Sequence, residues 1–170
     1  MPILTTCWSP CIWNTNLKTG TYSVAYYTAM MSVVCITYVA FVMNGGESHQ
    51  FYLPMFETDR HSGSAQYIGS LFIFYFLSMI ISSIYLCVGV HKQLRGFFFP
   101  WMILMIIAIL FQVVFGLWLI CGYYIYLRGV LVAFYCWIWG GLNAYCFLCV
   151  YSMYQLITEY QSRNLEIWYF

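Results

Sequence analysis

The sequence predicts an all-α membrane protein: a four-helix transmembrane bundle with both termini cytoplasmic. Three observations carry that expectation. The composition is 64% hydrophobic and 6% charged, too little charge to cover the surface of a soluble domain of this length. The six basic and five acidic residues all fall outside four apolar runs. Two of those runs, 61–91 and 96–127, are separated only by the short stretch His91-Lys92-Gln93-Leu94-Arg95-Gly96. A helix crosses about 30 Å of hydrocarbon with about 20 apolar residues, so both runs are long enough to span. A connection this short makes them antiparallel neighbours, and its Lys92 and Arg95 place it on the cytoplasmic side.

Residues 1–20 are mixed and polar, with Pro2, Pro10, Asn14, Asn16, Lys18 and Gly20. They lack the basic start, apolar core and small-residue cleavage site of a signal peptide, so the first span is expected to act as its own insertion signal. That span covers about 21–43 and ends at Asn44-Gly45-Gly46, a breaker cluster. The outer loop, 44–66, is mildly acidic through Glu47, Glu57 and Asp59 against Arg60. Its Phe51-Tyr52-Leu53-Pro54-Met55-Phe56 stretch is too short to cross and is expected to lie against the membrane surface or a partner. No Asn-x-Ser/Thr sequon occurs.

The second span covers about 67–90. The third covers 100–122, opening on Pro100, a favourable first-turn residue, with Trp101 expected at interface depth. A short second outer loop contains Arg128. The fourth span covers 130–154, and a cytoplasmic tail, 155–170, carries Glu159, Arg163 and Glu166. Lys18, Lys92, Arg95 and Arg163 then lie inside, against Arg60 and Arg128 outside. The whole chain reads as one four-span domain, without repeats or low-complexity tracts.

Little in it suggests chemistry. None of the four spans contains Asp, Glu, Lys or Arg, and intramembrane ionisable groups are the usual mark of proton relays and ion pathways. No Ser/His/Asp, Cys/His or phosphate-cradling glycine pattern has a credible setting, so no enzyme activity and no cofactor are expected. His49 and His61 read as solvated loop residues. A net charge of +1 gives no basic patch for nucleic acid.

What the spans do hold is small residues at helix-packing spacing: Ala25 and Ala29, Ser78 and Ser82, Gly140 and Ala144. Such pairs let backbones approach where apolar burial gives no net drive between helices. Ser32, Ser78, Gln112 and Asn143 fall near mid-depth, and Gln112 shares a face with Ala108 and Gly116. An amide at the bilayer centre needs a partner. Interhelical contact is the expected role of Gln112 and Asn143; a small polar ligand site at the midplane is the alternative.

The eight cysteines sit in or beside spans, with none in the long outer loop, which argues against a stapled ectodomain. Cys11, Cys87, Cys146 and Cys149 lie where juxtamembrane S-acylation occurs. Cys7, Cys11, Cys87 and His91 would together suit structural zinc, but Cys-x3-Cys alone is weak, and no metal site is expected.

Cys7-x3-Cys11 followed by Asn16-Leu17-Lys18-Thr19-Gly20-Thr21, running straight into a span, resembles the start of the lysosomal-associated transmembrane family. Cys149-Val150-Tyr151, Tyr154 and Ser162-Arg163-Asn164 resemble the way that family's last helix enters its tail. The chain looks most like the short insect four-span members, the pasiflora type of septate junctions. The Pro-Pro-x-Tyr motifs of the lysosomal members are missing, and Tyr154-Gln155-Leu156-Ile157, a Tyr-x-x-Φ form, emerges directly from the helix. Outer-loop cysteines of the claudin and tetraspanin kind are absent too.

The resemblance implies a cell-junction component at the plasma membrane, and the lack of intramembrane charge and of any large domain adds the reading of an accessory subunit of a larger membrane complex. A late-endosomal or lysosomal regulator of transporters or lipids is the alternative, and a small-solute transporter a third. Expected partners are other integral membrane proteins and the lipid bilayer. A PDZ domain is a further candidate, because Trp168 and Phe170 give the terminus a Φ-x-Φ form. An aromatic headgroup anchor at the same residues is the competing reading.

Overall fold

Lipid offers backbone N–H and C=O groups no partner, so an apolar chain closes those bonds within helices. A computed structural model of the protein describes residues 16–44, 63–123 and 127–168, with side chains described over 16–44, 66–122 and 127–161. Across these residues the chain is helical: α1 Leu17–Met43, α2 Gly63–Lys92, α3 Phe99–Tyr123 and α4 Leu127–Trp168. A short 3-10 turn, Arg95–Phe98, leads into α3. All four α-helices are long and apolar enough to cross a membrane.

The helices begin and end close to the apolar runs, with one exception. α1 starts a turn before the expected 21, because the Gly20 N–H already reaches the Asn16 carbonyl at 2.9 Å. It ends at Asn44, whose backbone and side-chain N–H groups both donate to the Ala40 carbonyl. The exception is α4, expected to stop at Tyr154 but continuing to Trp168. No glycine or proline lies between 142 and 168, so nothing breaks it where the apolar run ends. Ile157 is buried in the core, and the Gln161 side-chain amide donates to the Gln93 carbonyl at 2.8 Å. Part of the expected tail is therefore bundle. The 51–56 stretch, His49, His61, Cys7, Cys11 and Phe170 lie outside the described residues.

α1 packs chiefly on α2 and α3 chiefly on α4; lesser α1–α4 and α2–α3 contacts complete the ring. The main core draws on all four helices: Leu17, Val24 and Ala25; Met79, Leu86 and Val90; Trp101, Met102 and Met105; and Cys146 to Ile157, with Phe98 from the 3-10 turn. These residues occupy the helix halves nearest the α2–α3 turn. Towards the opposite end a second cluster, Phe115, Leu119 and Ala133, joins only α3 and α4. The protein is thus two helical hairpins fused through a four-helix core at one end. Large apolar side chains such as Phe74, Val114 and Ile138 face outward.

The α2–α3 turn has its own chemistry. Gln93 adopts φ 54°, and the Leu94 N–H donates back to the Gly89 carbonyl at 3.0 Å, the six-to-one bond of a Schellman cap. Gly89 is required by the fold-back: a Cβ there would sit 2.9 Å from the Phe97 Cβ and 3.3 Å from the Leu94 carbonyl oxygen.

Candidate functional site

Two polar nodes lie inside the bundle, at different depths. The first joins α3 and α4. The Asn143 amide donates to Gln112 Oε1 at 3.1 Å, with Asn143 buried and Gln112 half-buried. Gly140 lies against the same amide: a Cβ there would meet Gln112 Oε1 at 3.4 Å, ordinary contact. One turn further along α3, Gly116 is fitted more tightly, since a Cβ would run into the Trp137 indole. The small residues let the two backbones close until the short amide of Asn143 reaches across.

The second node joins three helices, and the sequence reading missed it. Thr28 Oγ1 and Ser83 Oγ are 2.9 Å apart, and the Trp101 indole N–H donates to Thr28 Oγ1 at 3.3 Å. Trp101, expected at interface depth, has its ring fully buried between the helices. The indole brings a large apolar surface together with one donor, and the Thr28 hydroxyl, itself donating to its own helix backbone, has a lone pair to accept it. The nodes are eleven residues apart on α3, about 16 Å at 1.5 Å per residue. Two further bonds tie the hairpins together: Trp139 Nε1 to Tyr27 Oη and Tyr75 Oη to the Leu104 carbonyl, each 2.8 Å.

The other sequence candidates separate into three groups. Ser32, Ser78 and Ser82 do not join the amides; each donates to a carbonyl of its own helix, at 2.7 to 2.9 Å. Ala25 is buried in the main core, whereas Ala29 and Ala144 are only half-buried. Among the cysteines, Cys87 is half-buried and Cys146 buried, while Cys149 is fully buried and disulfide-bonded. His91 is exposed beside the turn. Among the described residues no three His, Cys, Asp or Glu side chains are placed to hold a metal, and the zinc set's Cys7 and Cys11 lie outside them.

The residues on the buried face of α1 had a sequence signal. Thr21, Val24, Ala25, Thr28 and Ser32 recur at three- and four-residue spacing, a small and polar stripe on an otherwise bulky helix, and all five are buried. Among the described residues, no buried side-chain nitrogen or oxygen lacks a hydrogen-bond partner. The nodes are filled contacts between neutral groups, without an acid, a base or a nucleophile activated by either.

A family model described as a domain of unknown function, DUF7027, matches residues 27–123, more than half of the 170-residue chain. The chain belongs to the DUF7027 family. The matched DUF7027 region holds Thr28, Ser83 and Trp101 in full, together with the α2–α3 turn and Gln112, while Asn143 lies beyond it. No curated protein and no solved structure matches the chain.

Proposed function

We propose that this DUF7027 protein is a non-enzymatic, multi-pass membrane protein that works by association, as a septate-junction-like component or an accessory subunit of a larger membrane complex. The observation that carries the proposal is that the polar side chains of the described interior are paired with one another or with their own helices. Gln112 and Asn143, the polar pair best placed to line a solute path, contact each other directly at 3.1 Å. With neither charge nor an unpartnered polar group in the described interior, the outer surface is left to do the work. The resemblance to the lysosomal-associated transmembrane family, in its short insect form, supplies the junctional part. Localisation of the tagged full chain tests it: enrichment at lateral cell contacts supports the proposal, and residence in acidic vesicles supports the lysosomal alternative instead.

Both termini are assigned to the cytosol from the Lys and Arg bias. The inverted orientation is the alternative. Labelling of terminal tags on intact cells decides between the two: protected tags fit the assignment, labelled tags reverse it.

The PDZ reading of the terminus has a structural requirement. Capture adds the peptide as a strand, and α4 is helical through Trp168, so binding would have to unwind its last turn. The aromatic anchor makes no such demand. Appending one glycine after Phe170 separates them, because only capture needs the original carboxylate.

A further inference from the structure

The basic end of the bundle contains a feature the proposed function does not use. Lys18, at the start of α1, and His91, Lys92 and Arg95, at the α2–α3 turn, are all exposed. The fold brings them to one end: Leu17 shares the main core with Val90, Phe98 and Ile157, and Gln161 of α4 bonds the Gln93 carbonyl. Among the described residues, Lys18, Lys92 and Arg95 make no ion pair or side-chain hydrogen bond. Arg128, the remaining cation with a described side chain, lies near the far end, at the start of α4. Glu159 of α4 is the one acidic side chain described at this end, so the three cations leave a net positive surface whose like charges repel one another unless further anions are close by.

Apolar groups stand at the same level. Leu94 is exposed in the turn itself, and Phe99 and Tyr160 are exposed next to it. Exposed aromatic residues at a span's end favour the headgroup layer. Cations at headgroup depth, with apolar side chains beside them reaching towards acyl chains, match the two parts of a phospholipid. A soluble anion would use only the first part.

We infer that the exposed basic end of the bundle, carrying Lys18, Lys92, Arg95 and Leu94, binds the headgroups of anionic phospholipids of the surrounding bilayer. The inference rests on the reading that the chain spans a membrane with the basic turn on the cytosolic face, where anionic headgroups are concentrated; the detergent titration below measures the binding itself independently of orientation. Each surface cation near an anionic membrane contributes about 1 kcal/mol, about a fivefold factor in affinity. Loss of two therefore weakens binding by about 25-fold.

The test uses the purified full chain in a neutral detergent, where both ends are reachable, with thermal unfolding followed during titration of phosphatidylserine. Phosphatidylcholine, inorganic phosphate and an oligo-glutamate peptide serve as the other arms. Phosphatidylserine is expected to raise the unfolding temperature far more than phosphatidylcholine, and 0.5 M salt to remove most of the difference. The K92Q/R95Q variant should need about 25-fold more phosphatidylserine for half the effect, while R128Q should behave as the parent. Equal stabilisation by phosphatidylcholine overturns the inference, as does an unchanged titration of K92Q/R95Q. Equal stabilisation by phosphate or by the acidic peptide also overturns it, pointing to a soluble anion or an acidic protein. If K92Q/R95Q does not fold, the salt dependence of the parent decides alone: an effect insensitive to salt overturns the inference. Failure of terminal-tag labelling to match the assigned orientation would leave each of these outcomes unchanged.

Discussion

At the scale of single residues, the bundle is specified by a few neutral polar contacts among many interchangeable apolar ones. Interhelical hydrogen bonds in membranes contribute about 0.6–2 kcal/mol, because the separated helices also find partners. Asn143→Leu is expected to lower stability in detergent by that amount, with Gln112→Leu adding little once Asn143 is gone. A double-mutant cycle on the two measures the shared part; strictly additive effects would mean that the 3.1 Å contact contributes nothing. The Thr28–Ser83–Trp101 node makes a sharper case. Trp101→Phe keeps most of the buried ring and deletes the N–H, so it is expected to cost about 0.5–1.5 kcal/mol. Thr28→Val in the same background should then cost less than it does alone. The amide pair was legible in the sequence, because a lone Gln and Asn in two charge-free spans have few other partners. Trp101 was not. An aromatic beside Pro100 and a basic loop looks the same whether it lies in the headgroups or turns into the core.

At the scale of helices, the apolar runs located the helices to within about four residues except at the end of α4, while the inward face of each stayed mostly hidden. A soluble helix shows its buried face by contrast with a polar one. Here the outer face is also apolar, as Phe74, Val114 and Ile138 demonstrate, and only the small, polar stripe of α1 gives a contrast. The end of α4 was illegible for a different reason: the loss of apolarity marks a change of solvent, not a helix stop. Ile157 tests that extension. Ile157→Ser is expected to destabilise the bundle by about 2 kcal/mol, whereas a residue in a detached tail would change unfolding little. The α2–α3 turn gives the opposite sign. Gln93 sits at φ 54°, where a side chain costs about 1 kcal/mol or more and glycine does not. Gln93→Gly should therefore raise the unfolding temperature, and Gly89→Val should lower it, because the Phe97 Cβ and the Leu94 carbonyl leave no room. Matching signs for the two variants would contradict the Schellman geometry.

At the scale of the whole molecule, the buried cluster that draws on all four helices lies, among the described residues, at the end bearing the basic turn. The second cluster, Phe115, Leu119 and Ala133, joins α3 and α4, and the Phe72–Phe111 ring contact ties α2 to α3 beside it. On the proposed reading, a chain whose described interior polar groups are paired acts through its outer surface, by association. The most direct measurement is purification of the tagged full chain from native membranes in a mild detergent, with the mass of the particle determined and its components identified. The account predicts a particle heavier than one 20.0 kDa chain with its detergent, containing other integral membrane proteins in fixed ratio. A lone chain, isolated as a monomer from membranes in which it is abundant, would contradict it.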